Sequence, residues 1–287
     1  MSLLSPERLT LWIGPDAVQA VHSRGWRGQL KAAYTEAVHD PSPALMGARL
    51  DLCRALVARC KPDLLRVVVS DQLLRYRTLG WHPGLRNREE ERALAVLDME
   101  AVYGETMATE WSVSVALAPP GCQRLVCAMP LELRTGLQEI AASHRARLAS
   151  VRPAAVAALE AQRAALPTAG WFVHAEGRRL TVLQFAAGAY PWVSSVRSAS
   201  AALPDLRRAI AGQMALAGAP ALTSGVFLSQ PHVGVSVLHP AEAALPAVQV
   251  LGMRPDVLRT VLRAPHGVLA EAQALGTFGF VLMGAAL

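Results

Sequence analysis

The stretch Leu9-Thr10-Leu11-Trp12-Ile13-Gly14-Pro15-Asp16, close to the N-terminus, decides the fold. Its aliphatic residues alternate with Thr10 and Trp12, which predicts a β-strand. The Gly14-Pro15 dipeptide predicts a turn, and residues 17–23 predict a second strand. The chain therefore begins with a β-hairpin, and we refer to its connection as the first turn.

The same order of predicted elements then occurs twice. The first copy consists of strands Leu9–Ile13, Ala17–Ser23 and Gln29–Val38, a helix Pro43–Lys61 and a strand Leu65–Val69. The second copy consists of strands Gly170–Ala175, Leu180–Ala186 and Ala189–Arg197, a helix Ala202–Ala217 and a strand Gly225–Leu228. Three antiparallel strands, a helix and a parallel strand, repeated, predict an α/β fold in which a ribonuclease-H-like unit is duplicated, as in actin.

Between the two copies lies a segment with its own pattern. It contains a strand Leu73–Leu79, a helix Asn87–Tyr103, and strands Glu110–Leu117 and Arg124–Met129. A helix Leu131–Arg147, a strand Leu148–Val151 and a helix Pro153–Leu166 lead onward to the second copy. We predict a first lobe of residues 1–72 and 130–168, an inserted α+β subdomain of residues 73–129 and a second lobe of residues 169–287. The segment Val268–Leu287 is predicted to be a final core helix, because its apolar run is too short to span a bilayer.

The composition restricts the class of function. The chain has 287 residues, of which 52% are hydrophobic but only 5% aromatic, so the core is expected to be aliphatic. The net charge of +6 comes almost wholly from arginine, since Lys31 and Lys61 are the only lysines. These basic residues are scattered and do not form the continuous stripe with interleaved aromatics that a nucleic-acid groove needs. We therefore expect no nucleic-acid partner.

The cysteines and histidines indicate no catalytic or metal centre. Cys53 and Cys60 lie two turns apart on one predicted helix, and Cys122 and Cys127 flank the start of a strand. Neither pair has metal-ligand spacing, so buried free thiols in a reducing cytoplasm are expected. The eight histidines fall singly, and no Ser/His/Asp or Cys/His arrangement is present.

Further segments carry a resemblance to a known family. They are Val67-Val68-Val69-Ser70-Asp71 followed by Arg75-Tyr76, Val102-Tyr103-Gly104-Glu105, and Leu148-Ala149-Ser150-Val151-Arg152-Pro153. Together with the opening hairpin, they resemble the PilM family of type IV pilus assembly proteins and the cytoplasmic actin-like domain of type II secretion protein L (GspL). The resemblance covers nearly the whole chain and implies an actin-like fold with a small extra subdomain.

The resemblance also implies a role and partners. It implies a non-catalytic cytoplasmic adaptor or scaffold of an inner-membrane assembly platform, peripheral at the inner membrane and reaching it only through a partner. The implied partner is a bitopic pilus or secretion protein, whose PilN-like cytoplasmic tail would lie in a groove between the first lobe and the inserted subdomain. The assembly ATPase is a second expected partner.

Both segments that would cradle phosphate in an actin-like ATPase lack the necessary residues. A phosphate hairpin needs a carboxylate before its glycine to hold Mg²⁺ through water, and small hydroxyl residues whose N–H groups wrap the phosphates. In the first turn these positions are Trp12 and Pro15, and proline has no N–H. The second segment, from Phe172 to Gly177, which we call the second turn, is expected to repeat the arrangement of the first, with no Asp before its glycine. Gln230-Pro231 replaces the family's Gly-Gly pair. We expect neither a cofactor nor a metal.

Alternatives remain at several of these residues. A divergent ATPase would need Asp16 or Glu176 to replace the lost carboxylates. Trp12 and Trp171, which we place at matching positions in the two copies, either fill the emptied nucleotide cleft or pack in the core. His174 is expected at a strand end with its ring partly solvated.

Four residues near the predicted groove are candidates for binding the partner: Arg75, Tyr76, Arg77 and Trp81. Large amphipathic side chains of this kind anchor interfaces. The alternative for Trp81 is internal packing beside Pro83. The Glu89-Glu90-Glu91 run is interpreted as a solvated helix start rather than an acidic docking site.

Overall fold

The computed structural model describes residues 6–25, 29–38, 46–163, 166–200, 202–218, 225–229 and 248–250. The strands are β1 (Glu7–Ile13), β2 (Ala17–Arg24), β3 (Gln29–Ala37), β4 (Leu64–Val69), β5 (Arg75–Leu79), β6 (Trp111–Val115), β7 (Arg124–Pro130), β8 (Arg147–Pro153), β9 (Ala169–Glu176), β10 (Arg179–Ala186), β11 (Ala189–Arg197), β12 (Val226–Ser229) and β13 (Val248–Val250). The helices are α1 (Met46–Cys60), α2 (Arg88–Tyr103), α3 (Met107–Glu110), α4 (Leu131–Ser143), α5 (Ala154–Gln162) and α6 (Leu203–Leu216).

The first sheet has the strand order β3-β2-β1-β4-β8. Strands β1, β2 and β3 are antiparallel neighbours, whereas β4 is parallel to β1 and to β8. The carboxyl ends of β1, β4 and β8 therefore meet at one edge, where Ile13 pairs with Val69 and Val69 with Pro153. The first turn lies at this edge.

Helices α1 and α4 pack closely through a glycine. A Cβ atom at Gly136 on α4 would lie only 2.5 Å from Cδ1 of Leu50 on α1, so no larger residue fits without a shift. The apolar face of α1 contains Leu50, Cys53 and Leu56, all buried. Burial raises the pKa of the Cys53 thiol to about 12, which agrees with the expectation of an inert structural cysteine.

The second sheet repeats the first. Its order is β11-β10-β9-β12-β13, with three antiparallel strands followed by two parallel ones. On one face, Trp171 and Val173 of β9 pack against Leu206 and Ile210 of α6. The predicted duplication is confirmed, and β13 is a strand that the sequence pattern did not predict.

The inserted segment forms a third sheet, of order β5-β7-β6, with α2 and α3 on one face. Its core contains Ala95 and Met99 of α2, packed with Val113, Val126 and Ala128 of the sheet. Helix α2 starts where it was predicted to start, because the side chain of Asn87 accepts hydrogen bonds from the Glu89 and Glu90 backbone N–H groups.

The chain divides into two compact units. The first contains the described residues within Met1–Leu73 and Glu132–Ala161, and the second contains Leu74–Leu131 and the described residues within Gln162–Gly252. The inserted segment therefore shares a compact unit with the second sheet, a grouping that the three-part division predicted from sequence does not contain. In the second unit, the Val193 N–H of edge strand β11 donates to Thr78 Oγ1 of β5 at 2.9 Å.

Two further observations bear on the predictions. Helix α4 ends at Ser143, four residues before the predicted end at Arg147, and Arg145 follows with a positive φ of 57°. Arg147 instead begins β8. The predicted final helix, Val268–Leu287, lies outside the described residues. No helix in the described ranges is long and apolar enough to cross a bilayer.

Candidate functional site

The first turn is closed by the indole ring of Trp12. Ile13 pairs with Val18, and three residues, 14–16, connect β1 and β2. A Cβ atom placed on Gly14 would lie 2.0 Å from Cη2 of Trp12, which means that the ring occupies the space beside the glycine. The Gly14 N–H donates to the Ala17 carbonyl at 2.9 Å, within the hairpin itself. A phosphate approaching Gly14 on this side would meet apolar carbon atoms rather than N–H donors.

A fully buried arginine fixes the carbonyl groups of the same turn. Arg49 of α1 is 0% exposed. Its Nε donates to the Gly14 carbonyl at 3.0 Å, and its NH2 group donates to the Pro15 carbonyl at 2.6 Å. The turn is therefore held from α1 by charge-assisted hydrogen bonds.

A buried carboxylate at the same edge is engaged in fold contacts. Asp71 follows β4 and is 1% exposed. Its Oδ1 accepts a hydrogen bond from the Ala155 N–H in the first turn of α5, at 3.2 Å. A carboxylate is favoured there by the positive end of the helix dipole. Asp16, which the ATPase alternative would require, is instead exposed in the first turn.

The second turn differs from the first in length. Glu176 pairs with Arg179, so only two residues, Gly177 and Arg178, connect β9 and β10. Gly177 has a φ of +62°, as such tight hairpins require. The Arg178 carbonyl accepts from the Ser198 N–H at 2.8 Å. The two turns are therefore not equivalent loops, contrary to the expectation that the second repeats the first.

His174 is buried, and the expectation that its ring is partly solvated was wrong. His174 is 1% exposed, and its Nε2 atom lies 3.6 Å from Oε1 of Glu176, which is also buried. Both side chains project from the same face of β9, because they are two residues apart. Glu176 is therefore an interior residue next to an imidazole rather than an open ligand position.

The two tryptophans do not occupy matching positions. Trp12 precedes its turn glycine, Gly14, by two residues, whereas Trp171 precedes Gly177 by six. Trp171 belongs to the core between the second sheet and α6. Of the two alternatives, core packing applies to Trp171, whereas the Trp12 ring covers the first turn. Gln230 lies outside the described residues.

Tyr76 and Arg77 both make contacts within the second unit, and only Tyr76 is buried. Tyr76 is 2% exposed, so its side chain does not lie on the surface where a partner anchor was expected. Arg77 donates from Nε and NH2 to the carboxylate of Asp98 on α2, at 2.9 and 3.0 Å. These hydrogen bonds raise the pKa of Arg77 above its ordinary value.

Arg75 and Trp81 differ in their availability. The Arg75 guanidinium lies 5.1 Å from the ring centre of Trp111 and 5.9 Å from that of Tyr103, where cation–π attraction holds it. Trp81, in the loop after β5, is 44% exposed. Of the predicted partner-binding residues, Trp81 thus keeps the most accessible aromatic surface.

Arg49 and Asp71 were not among the predicted site residues. Arg49 lies three residues after Met46 and four before Cys53, which is the spacing of the buried face of α1. That spacing was the available signal, although a charged residue is usually interpreted as solvent-exposed. Asp71 was noted only as part of the family resemblance. Within the described ranges, no group of three or more His, Cys, Asp or Glu side chains is placed to hold a metal ion.

No family model and no curated protein matches the sequence. Solved structures do match the fold. The cytoplasmic domain of EpsL, an inner membrane component of the type II secretion system of Vibrio cholerae, aligns over 89% of this chain and 94% of its own, with 11% identity and a TM-score of 0.51. A chain of the PilM-PilN type IV pilus biogenesis complex aligns over 99% of this chain and 98% of its own, with 14% identity and a TM-score of 0.57.

A third similar structure comes from Bacteroides thetaiotaomicron and is a protein of unknown function with an actin-like ATPase fold. It aligns over 89% of this chain and 95% of its own, with 9% identity and a TM-score of 0.58. The present chain therefore has an actin-like α/β fold, as its sequence predicted. Identities this low establish the fold alone.

Proposed function

We propose that the protein is a non-catalytic scaffold of a type IV pilus or type II secretion platform at the inner membrane, and that it binds the cytoplasmic tail of a bitopic membrane protein. The assembly ATPase is a further partner in this proposal. The geometry of the first turn supports the non-catalytic part of this proposal. There the Trp12 ring covers Gly14, and Arg49 donates hydrogen bonds to the Gly14 and Pro15 carbonyls.

Three chemical facts support the absence of ATP hydrolysis. Phosphate binding needs N–H donors, and Pro15 has none. Magnesium needs oxygen ligands facing the phosphates, whereas Asp71 caps α5 and Glu176 is buried beside His174. Filling the turn with an indole ring adds apolar surface where several phosphate charges would have to be solvated.

The similar structures support the class of partner. Among them are an inner membrane component of a type II secretion system and a complex of PilM with PilN. Transfer of this role to the present chain is part of the proposal. On the described surface, Trp81 has the residue type and exposure that interface anchors have.

The proposal is tested with labelled peptides that reproduce the cytoplasmic tails of the bitopic proteins encoded beside this gene. Fluorescence anisotropy should detect binding of one of them to the purified protein. Trp81→Ala should weaken that affinity at least about tenfold, which corresponds to about 1.4 kcal/mol. The melting temperature should stay unchanged, because a residue that is 44% exposed contributes little to the core.

Two variants serve as controls. Leu216→Ala removes another exposed apolar side chain, 71% accessible on α6, and should leave peptide affinity unchanged. Tyr76→Ala removes a buried ring and should lower the melting temperature. Failure of every tail peptide to bind would overturn the partner class. Unchanged affinity in Trp81→Ala would remove this residue from the interface, and a lower melting temperature would assign it to internal packing.

A further inference from the structure

The outer surface of α2 is exposed although its centre is apolar. Ala95 and Met99 are buried against the third sheet. On the opposite side lie Ala93, Leu97 and Ala101, which are spaced four residues apart and so form one stripe along the helix. Leu97 is 61% exposed. Carboxylates border this stripe: Glu90, which is exposed, precedes Ala93 by three residues, and Glu100, which is half-buried, follows Leu97 by three. We call these five residues, Glu90, Ala93, Leu97, Glu100 and Ala101, the α2 face.

The charge around this surface is opposite to that of the whole protein. The segment from Arg86 to Glu110 contains seven carboxylates and three arginines, a net charge of −4 in a chain of net charge +6. Helix α2 has no basic residue in its last turn, where the negative end of the helix dipole favours cations. Glu100 lies in that turn, and Glu105 follows it.

Some of these carboxylates serve the fold and others do not. Asp98 pairs with Arg77, and Glu91 with Arg124. Glu90 accepts hydrogen bonds from the Arg86 N–H and from Nδ2 of Asn87 at the start of α2, and its residue stays exposed. Glu100 and Glu105 form no ion pair within the described ranges. Their charges therefore leave an uncompensated negative potential at the end of an exposed apolar stripe. That combination is complementary to a partner with apolar and cationic groups.

We propose that the α2 face binds an amphipathic helix of another protein, with lysine or arginine residues along the edges of its apolar stripe. Ala93 and Ala101 allow a partner helix to approach closely, and Leu97 supplies the central anchor. Cationic side chains of the partner then reach Glu90 and Glu100. The interface does not include Trp81, so it is a second surface in addition to the tail site of the proposed function.

A second copy of this chain is a poor occupant by the same electrostatic argument. Packing two α2 faces together would place Glu90 and Glu100 of one copy near carboxylates of the other, and like charges across an interface are repulsive. Cytoplasmic segments of inner-membrane proteins, in contrast, are enriched in lysine and arginine. The charge of the α2 face fits such a segment.

The test uses two synthetic peptides of about 20 residues, long enough for a helix of about 30 Å. Both have leucines at helical spacing, and they differ only in arginine or glutamate at the edge positions. The basic peptide should bind the protein at least about tenfold more tightly than the acidic one at about 50 mM NaCl, and the difference should shrink at about 300 mM. Leu97→Arg and Glu100→Lys should each lower the affinity for the basic peptide at least about tenfold.

Controls separate this site from other surfaces. Leu117→Arg changes a leucine that is 74% exposed in the β6–β7 loop, and Glu139→Lys changes an exposed carboxylate on α4; neither should alter binding. Glu100→Lys should in addition improve binding of the acidic peptide, a gain that loss of folding cannot produce. Equal affinities for the two peptides, or wild-type affinity in Leu97→Arg, would overturn the proposal. So would self-association that Leu97→Arg abolishes. Tail-peptide binding through Trp81 should persist in these variants, which keeps the two proposals separable.

Discussion

Arg49 is the residue with the largest expected energetic role at the first turn. Its guanidinium is fully buried and donates to the carbonyls of Gly14 and Pro15. Arg49→Met keeps much of the side-chain volume but leaves the buried Gly14 carbonyl and the half-buried Pro15 carbonyl without these donors. We expect a loss of about 3 kcal/mol in the free energy of unfolding, measured by urea denaturation.

Arg54 on the same helix provides the matched control. Its side chain is half exposed and pairs with Asp51 one turn earlier. Surface pairs of this kind contribute about 0.5 kcal/mol, so Arg54→Met should change stability only slightly. If both variants lose the same small amount, the hydrogen bonds of Arg49 do not hold the turn.

A second prediction at this scale concerns pH. His22 is 8% exposed, and its Nε2 lies 2.8 Å from Oε2 of Glu7, whose Oε1 is 2.9 Å from Nζ of Lys31. Burial lowers the pKa of His22 below 6.5, and Lys31 acts in the same direction against the opposing effect of Glu7. On acidification the unfolded chain therefore takes up this proton first, so stability falls as the pH drops below about 6.5.

Urea unfolding at about pH 7.5 and about pH 5.5 tests this linkage. The wild type should lose up to about 1 kcal/mol between these values, and His22→Gln should lose less. The pKa of Glu7 is also lowered: burial would raise it, but Lys31 and His22 outweigh that effect. Its contribution to stability is therefore lost only at more acidic pH. His82→Gln, which removes an exposed histidine, is the control. An identical pH dependence in wild type and His22→Gln would contradict the prediction.

At the level of single residues, the sequence shows which phosphate-binding residues the first turn lacks but not which groups lie there instead. The sequence shows directly that Trp12 stands at the position of the carboxylate and that Pro15 has no N–H group. That the indole covers Gly14, and that Arg49 reaches the turn from α1, depends on how a helix packs on a sheet. His174 was misjudged for the same reason, because its burial depends on neighbours that are distant in sequence.

At the level of elements, a hydrogen bond links the inserted sheet to the edge of the second sheet. The Val193 N–H donates to Thr78 Oγ1, and Val193 is 7% exposed. Thr78→Val has nearly the same shape but removes the acceptor. We expect this variant to lose about 1 kcal/mol or more in the free energy of unfolding, because a buried N–H group loses its partner.

Thr181 of β10 is a matched control for this substitution. Thr181 is 0% exposed, and its hydroxyl has no hydrogen-bond partner among the described residues. Thr181→Val should therefore be neutral or stabilising in the same urea titration. Equal destabilisation by the two substitutions would show that a general packing effect, rather than the Thr78 acceptor, is responsible.

The elements themselves were largely predictable because alternation and helical spacing are strong local signals. Strands β1, β2, β9 and β10 were predicted to within a residue or two of their observed bounds. The end of α4 was missed because Arg145 adopts a left-handed conformation that its residue type does not predict. The difference between the two turns was also missed, because hairpin length depends on strand register, and register is set by pairing.

At the scale of the whole molecule, the duplication was predictable from sequence and the grouping of the inserted sheet was not. Two runs of three strands, a helix and a strand define the same sheet order twice. The inclusion of residues 74–131 in the unit of the second sheet depends on contacts such as that between Thr78 and Val193, which no local pattern records.

Whether the molecule acts on ATP is the last property at this scale. We expect no binding of Mg-ATP with useful affinity and no phosphate release. Isothermal titration should give no measurable heat at micromolar protein concentration. A dissociation constant below about 100 µM, equivalent to more than about 5.4 kcal/mol of binding, would contradict the prediction and favour the divergent ATPase.

The variant Trp12→Gly tests whether the indole ring alone would prevent binding of Mg-ATP. It uncovers Gly14 but supplies neither the N–H group that Pro15 lacks nor a ligand for Mg²⁺. We therefore expect Trp12→Gly to be less stable, because a buried ring is lost, and still unable to bind Mg-ATP. If binding instead appears with a dissociation constant below about 100 µM, the indole alone blocks a site that is otherwise competent. The protein would then be an ATPase-type fold closed by one side chain, and the loss of carboxylates would not be the cause.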